Sequence, residues 1–118
     1  MSPRLRPADR LEVAAAVAAD PRTPEQKKML TKHFMAVLAD KAPGNSVEVR
    51  VPGYAAVQAI EGVRHTRGTP PAVVEMEVDT WLELATGSLS WGYAYTSGRI
   101  RASGERADLT PHLPLMQD

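Results

Sequence analysis

The sequence predicts an α+β fold, and three observations carry that expectation. Apolar residues recur at helical spacing before residue 42, at alternate positions between 47 and 78, and in short helical groups after 79. The strand signals bunch between helical groups and do not alternate with them, which argues against a doubly wound parallel sheet. The chain has 118 residues and no cysteine, a length at which one core can form without metal or disulfide support. A single domain over residues 1–118 is therefore expected.

The first helix is expected over residues 8–19, with Pro21 stopping it; its alanine-rich faces bury little area, so it needs a packing partner. The second is better signed. Thr23 suits an N-cap, Pro24 takes the first helical position, and Gln26 completes a capping box. Leu30, Phe34, Val37 and Leu38 then recur at helical spacing until Pro43 and Gly44 end the run.

Beyond Asn45 the period becomes two. Val47, Val49 and Val51 alternate with Glu48 and Arg50 as in a half-buried strand, and Pro52-Gly53 turns the chain into a second strand over 54–60. A polar loop over 62–71 leads to a third strand over 72–78. Asp79 or Thr80 is expected to cap a short helix that runs through Ala85 and closes at Gly87. Ser90 caps another over 91–96, closed by Gly98; a strand over 99–103 follows, and Asp108 or Thr110 opens a last short helix limited by Pro114.

Composition excludes several functions. Fourteen basic side chains balance fourteen acidic ones, so the surplus that nucleic-acid binding needs is missing. No run approaches the ~20 apolar residues of a membrane span. The apolar stretch 13–19 is short and bracketed by Glu12 and Asp20, unlike a secretory leader, so a cytoplasmic location is expected. His33, His65 and His112 have no metal-ligand spacing, and Ser103 lies in Ala-Ser-Gly-Glu, which is not a nucleophile elbow. No nucleophile, base and orienter can be assembled, so neither catalysis nor a metal or cofactor is expected.

Two segments carry candidate binding chemistry. Trp81, Trp91, Tyr93 and Tyr95, four of the six aromatic residues, fall between 81 and 95 beside Leu82, Leu84 and Leu89. They can line the mouth of an apolar pocket, or simply anchor short helices to a sheet. The loop Arg64-His65-Thr66-Arg67-Gly68-Thr69 offers two guanidinium groups, an imidazole and free backbone N–H groups to a carboxylate or phosphate. Its alternative is a solvated loop whose arginines pair with Glu61, Glu75 or Glu77. Arg99 and Arg101 are expected on the solvent side of their strand, opposite Ile100 and Ala102, with Glu105 as a pairing partner.

The segment from Val73 to Leu115 resembles the sterol-carrier-protein family. A strand runs through an aspartate into Asp79-Thr80-Trp81-Leu82-Glu83-Leu84-Ala85; Gly87, a second short helix, the strand 98–104 and a closing apolar helix follow. Residues 47–54 together with 64–71 are similar to a short, stand-alone actinobacterial branch of that family. The resemblance implies a mixed or antiparallel sheet of about five strands, with helices on one face enclosing an apolar tunnel for an acyl chain. The fifth strand would come from near Val63 or from a split of 54–60. The candidate ligand-binding residues are Trp81, Leu84, Leu89, Trp91, Ile100 and Leu113, with Arg64, His65 and Arg67 as candidates for the tunnel entrance. Pro114-Leu115-Met116-Gln117-Asp118 is not the peroxisomal address that some family members carry.

Two functions follow from the resemblance. One is a carrier that holds a fatty acid or another apolar small molecule in an internal cavity. The other is an interaction or oligomerisation module, such as a homodimer, that keeps the fold without a ligand.

Overall fold

The structure is a computed structural model that describes residues 5–62, 72–103 and 107–116. Helix α1, Arg10–Ala18, begins where the Asp9 carboxylate accepts from the backbone N–H groups of Leu11 and Glu12. Only Val13 and Ala16 of α1 are buried, so it is a light element laid on α2. The Arg22 guanidinium holds its end, donating to the carbonyls of Ala16 and Val17 at 2.9 Å each. Helix α2, Pro24–Lys41, starts with the expected capping box, in which Thr23 and Gln26 bond each other's backbone N–H groups. Its buried positions run from Leu30 to Leu38 and form the middle of the core.

Among the described residues the sheet has four strands and not the expected five. They are β1 (Val47–Val51), β2 (Ala55–Ala59), β3 (Ala72–Met76) and β4 (Ile100–Ser103), in the spatial order β2-β1-β3-β4. The segment 54–60 does not split into two strands, because Ala55 to Ala59 pair continuously with β1. Val63 lies outside the described residues. The sheet is mixed: β1 runs parallel to β3 and antiparallel to β2, and β3 runs antiparallel to β4.

Register puts one residue set on the core face. Val49 stands between Val57 and Val74, Val74 is opposite Ala102, and Met76 is opposite Ile100. The helices cover this face. On the other face Arg50, Gln58, Arg101 and Ser103 are exposed, as a one-sided sheet with a period of two requires.

The turn between α2 and β1 is tied to the end of β2. The Ile60 N–H donates to the Ala42 carbonyl at 2.6 Å, and the Ile60 carbonyl accepts from both the backbone and the hydroxyl of Ser46. Ile60 pays for these bonds with a φ of 72°, rare for a β-branched residue. Gly44 lies against the same peptide, and a Cβ there would collide with the Ile60 carbonyl.

After β3 the chain enters a helix earlier than expected. Helix α3 is Val78–Thr86 with Glu77 at the N-cap position and no side-chain cap, so neither Asp79 nor Thr80 caps it. Asp79 in the first turn instead pairs with Lys27 of α2 at 3.1 Å. Gly87 closes α3 in the left-handed conformation. Helix α4, Trp91–Thr96, has the expected Ser90 cap. The last element is one 3-10 turn, Thr110–His112, and not an apolar helix; Pro111 and Pro114 leave no room for propagation. Leu109 and Leu115 on either side of it are nevertheless fully buried, and the Leu115 N–H donates to the Ala85 carbonyl at 2.8 Å.

Candidate functional site

The sequence-predicted residues separate into three places. Trp81, Leu84 and Ile100 lie deep, between α3, α2 and the sheet. Trp81 has no surface that water reaches, and its indole N–H donates to the Thr31 carbonyl of α2 at 3.2 Å. Leu84 is equally dry, and Ile100 is 5% exposed. Had these side chains lined a void able to admit water, the void would have given them accessible surface. The core is filled at Trp81 and Leu84.

Leu89, Trp91 and Leu113 are half-buried and form the margin of that core. Arg64, His65 and Arg67 lie outside the described residues, as does Glu105. The structure therefore brings the six apolar residues to one side of the sheet, three in its depth and three at its rim.

Sequence reasoning missed a groove at the end of the sheet. Its open volume is about 810 Å³, bounded by the β1–β2 turn, the β3–α3 junction and the start of β4. Pro52, Tyr54, Met76 and Val78 give it apolar walls, and Glu75, Glu77, Asp79, Arg99 and Arg101 surround them. No local motif could have announced it, because its lining comes from segments joined only by the strand pairing. A second hollow of about 400 Å³ lies between Val37, Asp40 and Lys41 of α2 and the segment Pro114, Leu115 and Met116.

Of the two arginines of the groove, Arg101 stands on the solvent side as expected and Arg99 departs from its expected role. Arg99 does not stand on the solvent side of the strand. It turns back to α3, where its Nε donates to Thr80 Oγ1 at 3.2 Å and its guanidinium pairs with Glu83. Arg101 approaches Glu75 of the neighbouring strand at 3.8 Å. With Glu77 and Asp79 added, the groove presents more carboxylate than guanidinium, which disfavours a fatty carboxylate head group there. Among the described residues, no three histidine, aspartate or glutamate side chains converge to hold a metal ion.

Burial bears on one histidine of α2, His33. Its Nδ1 accepts from the Ala8 N–H at 2.9 Å, which requires the neutral ring, and burial lowers its pKa. It lies on α2 beside the N-terminal arm, outside the groove.

Residues 23–115 match the model of a protein family described as "Bacterial SCP ortholog". The chain belongs to this family. The match spans α2 through the end of the 3-10 turn and leaves α1 before it, so the sterol-carrier-like resemblance holds over the whole sheet and the helices that cover it. No curated protein matches the chain. No helix among the described residues is long and apolar enough to cross a membrane.

Proposed function

We propose that this family member is a lipid-binding carrier of the cytoplasm that takes up a fatty acid or another apolar small molecule and performs no catalysis. The family match over residues 23–115 carries the reading. The apolar side chains at one flank of the sheet are in keeping with it. Because Trp81 and Leu84 are fully buried, a ligand beside them requires α3 and α4 to part from the sheet. Leu89, Trp91 and Leu113 stand at the seam that would part, and Arg64, His65 and Arg67 are the proposed partners of an anionic head group.

Native mass spectrometry of protein purified without detergent tests this directly. A bound acyl species is expected, and added fatty acid should raise the melting temperature by linkage. A ligand entering beside Trp81 should also change its emission. No bound species, no thermal shift and unchanged emission would end the carrier reading. The filled core favours one second reading, a module that keeps the fold for interaction or homodimerisation. That reading predicts a dimer by light scattering and indifference to fatty acid.

A further inference from the structure

Helices α3 and α4 follow one another and are fastened in different ways. Polar ties run from α3 to α2, to the residue before β4 and to the C-terminal segment. Asp79 pairs with Lys27 at 3.1 Å, the Trp81 indole donates to the Thr31 carbonyl at 3.2 Å, and Arg99 holds both Thr80 and Glu83. The Ala85 carbonyl takes the Leu115 N–H at 2.8 Å.

No tie of this kind reaches α4. Among the described residues, every hydrogen bond of residues 90–98 has its partner within 90–99. Residues 84–98 contain no acidic, basic or histidine side chain, so no ion pair can fasten the helix either. Helix α4 buries Ala94 alone, leans on the core margin through Trp91 and packs against β4.

The chain on either side is built to let α4 turn. Ser88 and Leu89 donate their N–H groups to the Glu83 carbonyl, so the chain before Ser90 stays with α3. On the far side Gly98 has a φ of 80°, and open space stands where its side chain would be. Swinging α4 outward between these points breaks one hydrogen bond, from the Arg99 N–H to the Ala94 carbonyl at 2.9 Å. Parting α3 breaks every tie named above and uncovers Trp81, Leu82 and Leu84. The cheaper of two openings is the one that breaks fewer bonds and exposes less apolar surface.

We infer that residues 90–98 form a lid on the core margin, which lifts while α3 stays in place. As a motion of the ligand-free chain the lid needs no carrier role; as the gate by which an apolar molecule enters beside Leu89 and Trp91, it rests on the carrier reading.

The chain has no cysteine, so a single engineered thiol can report on each helix. Ala94→Cys and Ala85→Cys each replace a fully buried alanine, the first in α4 and the second in α3. With iodoacetamide and no lipid, Ala94→Cys should react at least ~100-fold faster than Ala85→Cys. Its rate should be flat at low urea, because a local opening exposes little surface, whereas Ala85→Cys should follow global unfolding. Trp91→Ala in the Ala94→Cys background should speed the reaction further. Exchange of the Ala94 and Ala85 amides in the wild type makes the same comparison without a substitution. Equal rates at the two positions, or the same steep urea dependence at both, would overturn the lid. Oleate tests the gate separately, and when bound it should slow the Ala94→Cys reaction about tenfold. Oleate that binds and leaves this rate unchanged would overturn the gate. A fast reaction of Ala94→Cys with no sign of oleate binding sinks the carrier reading and leaves the lid standing. Oleate binding to a protein whose Ala94→Cys variant reacts only through global unfolding does the reverse.

Discussion

Trp81 and Trp91 lie ten residues apart on consecutive helices, and they do opposite things. Trp81 is enclosed between α3 and α2, with its indole N–H bonded to Thr31. Trp91 stands at the rim of the same core, on a helix whose tyrosines face water. The difference comes from the elements and not from the residue type. Helix α3 places Thr80, Trp81, Leu82, Leu84 and Ala85 all in buried positions, whereas α4 buries Ala94 alone. An aromatic cluster that is compact in sequence is thus a structural anchor at one end and a surface at the other.

The largest effect expected of any change here follows from the buried end. Trp81→Ala removes the biggest dry side chain and strands a cavity, which should cost about 3–5 kcal/mol in urea denaturation. Trp91→Ala should cost much less, since its side chain is half outside. Equal losses would show that the two tryptophans share one packed cluster after all. Where Trp81→Ala fails to fold, Trp81→Phe keeps most of the volume and still loses the bond to Thr31.

The next effect sharpens the other end. Ser90→Ala removes the cap of α4, and such changes cost ~1 kcal/mol. Because α4 buries Ala94 alone and otherwise packs through the half-buried Trp91 and against β4, the loss should be local. Amide hydrogen exchange should speed up at Tyr93, Ala94 and Tyr95 and stay unchanged in α3. Acceleration that spreads to Leu82 and Leu84 would mean that the two helices open as one unit.

How much of this was legible in the sequence depends on the range of the interaction. The capping box at Thr23 and Gln26, the Ser90 cap and the alternation of Val47, Val49 and Val51 are local devices, and each appears as read. Helix α3 starts earlier than expected, and Asp79, a good cap by type, pairs instead with Lys27, 52 positions earlier. Arg99 departs from its expectation in the same way, since its partners Thr80 and Glu83 lie on another element. The apolar candidates belong to the core cluster or pack against it. That the depth between them is filled depends on summed side-chain volume across several elements, which no local pattern encodes.

The smallest effect concerns pH, and it separates the same two regions. His33 sits on α2, two residues after the carbonyl that receives the Trp81 indole, and its neutral Nδ1 anchors Ala8. Burial lowers its pKa below the ordinary value of about 6.5. In that direction the unfolded chain takes up the proton first, so the stabilisation is complete above about pH 6.5 and is lost as pH falls toward the folded value. Protonation also turns the acceptor into a donor facing the Ala8 N–H, so the arm before α1 should loosen in acid. The loss should stay within the ~1 kcal/mol of one hydrogen bond, and His33→Leu should remove this part of the pH slope. Residues 84–98 carry no acid, base or histidine, so exchange within α4, corrected for the intrinsic pH dependence of amide exchange, should stay level over the same range. Protection that falls in α4 together with the arm would show that the rim is coupled to α2 through the core, and the separation of anchor from surface would then fail.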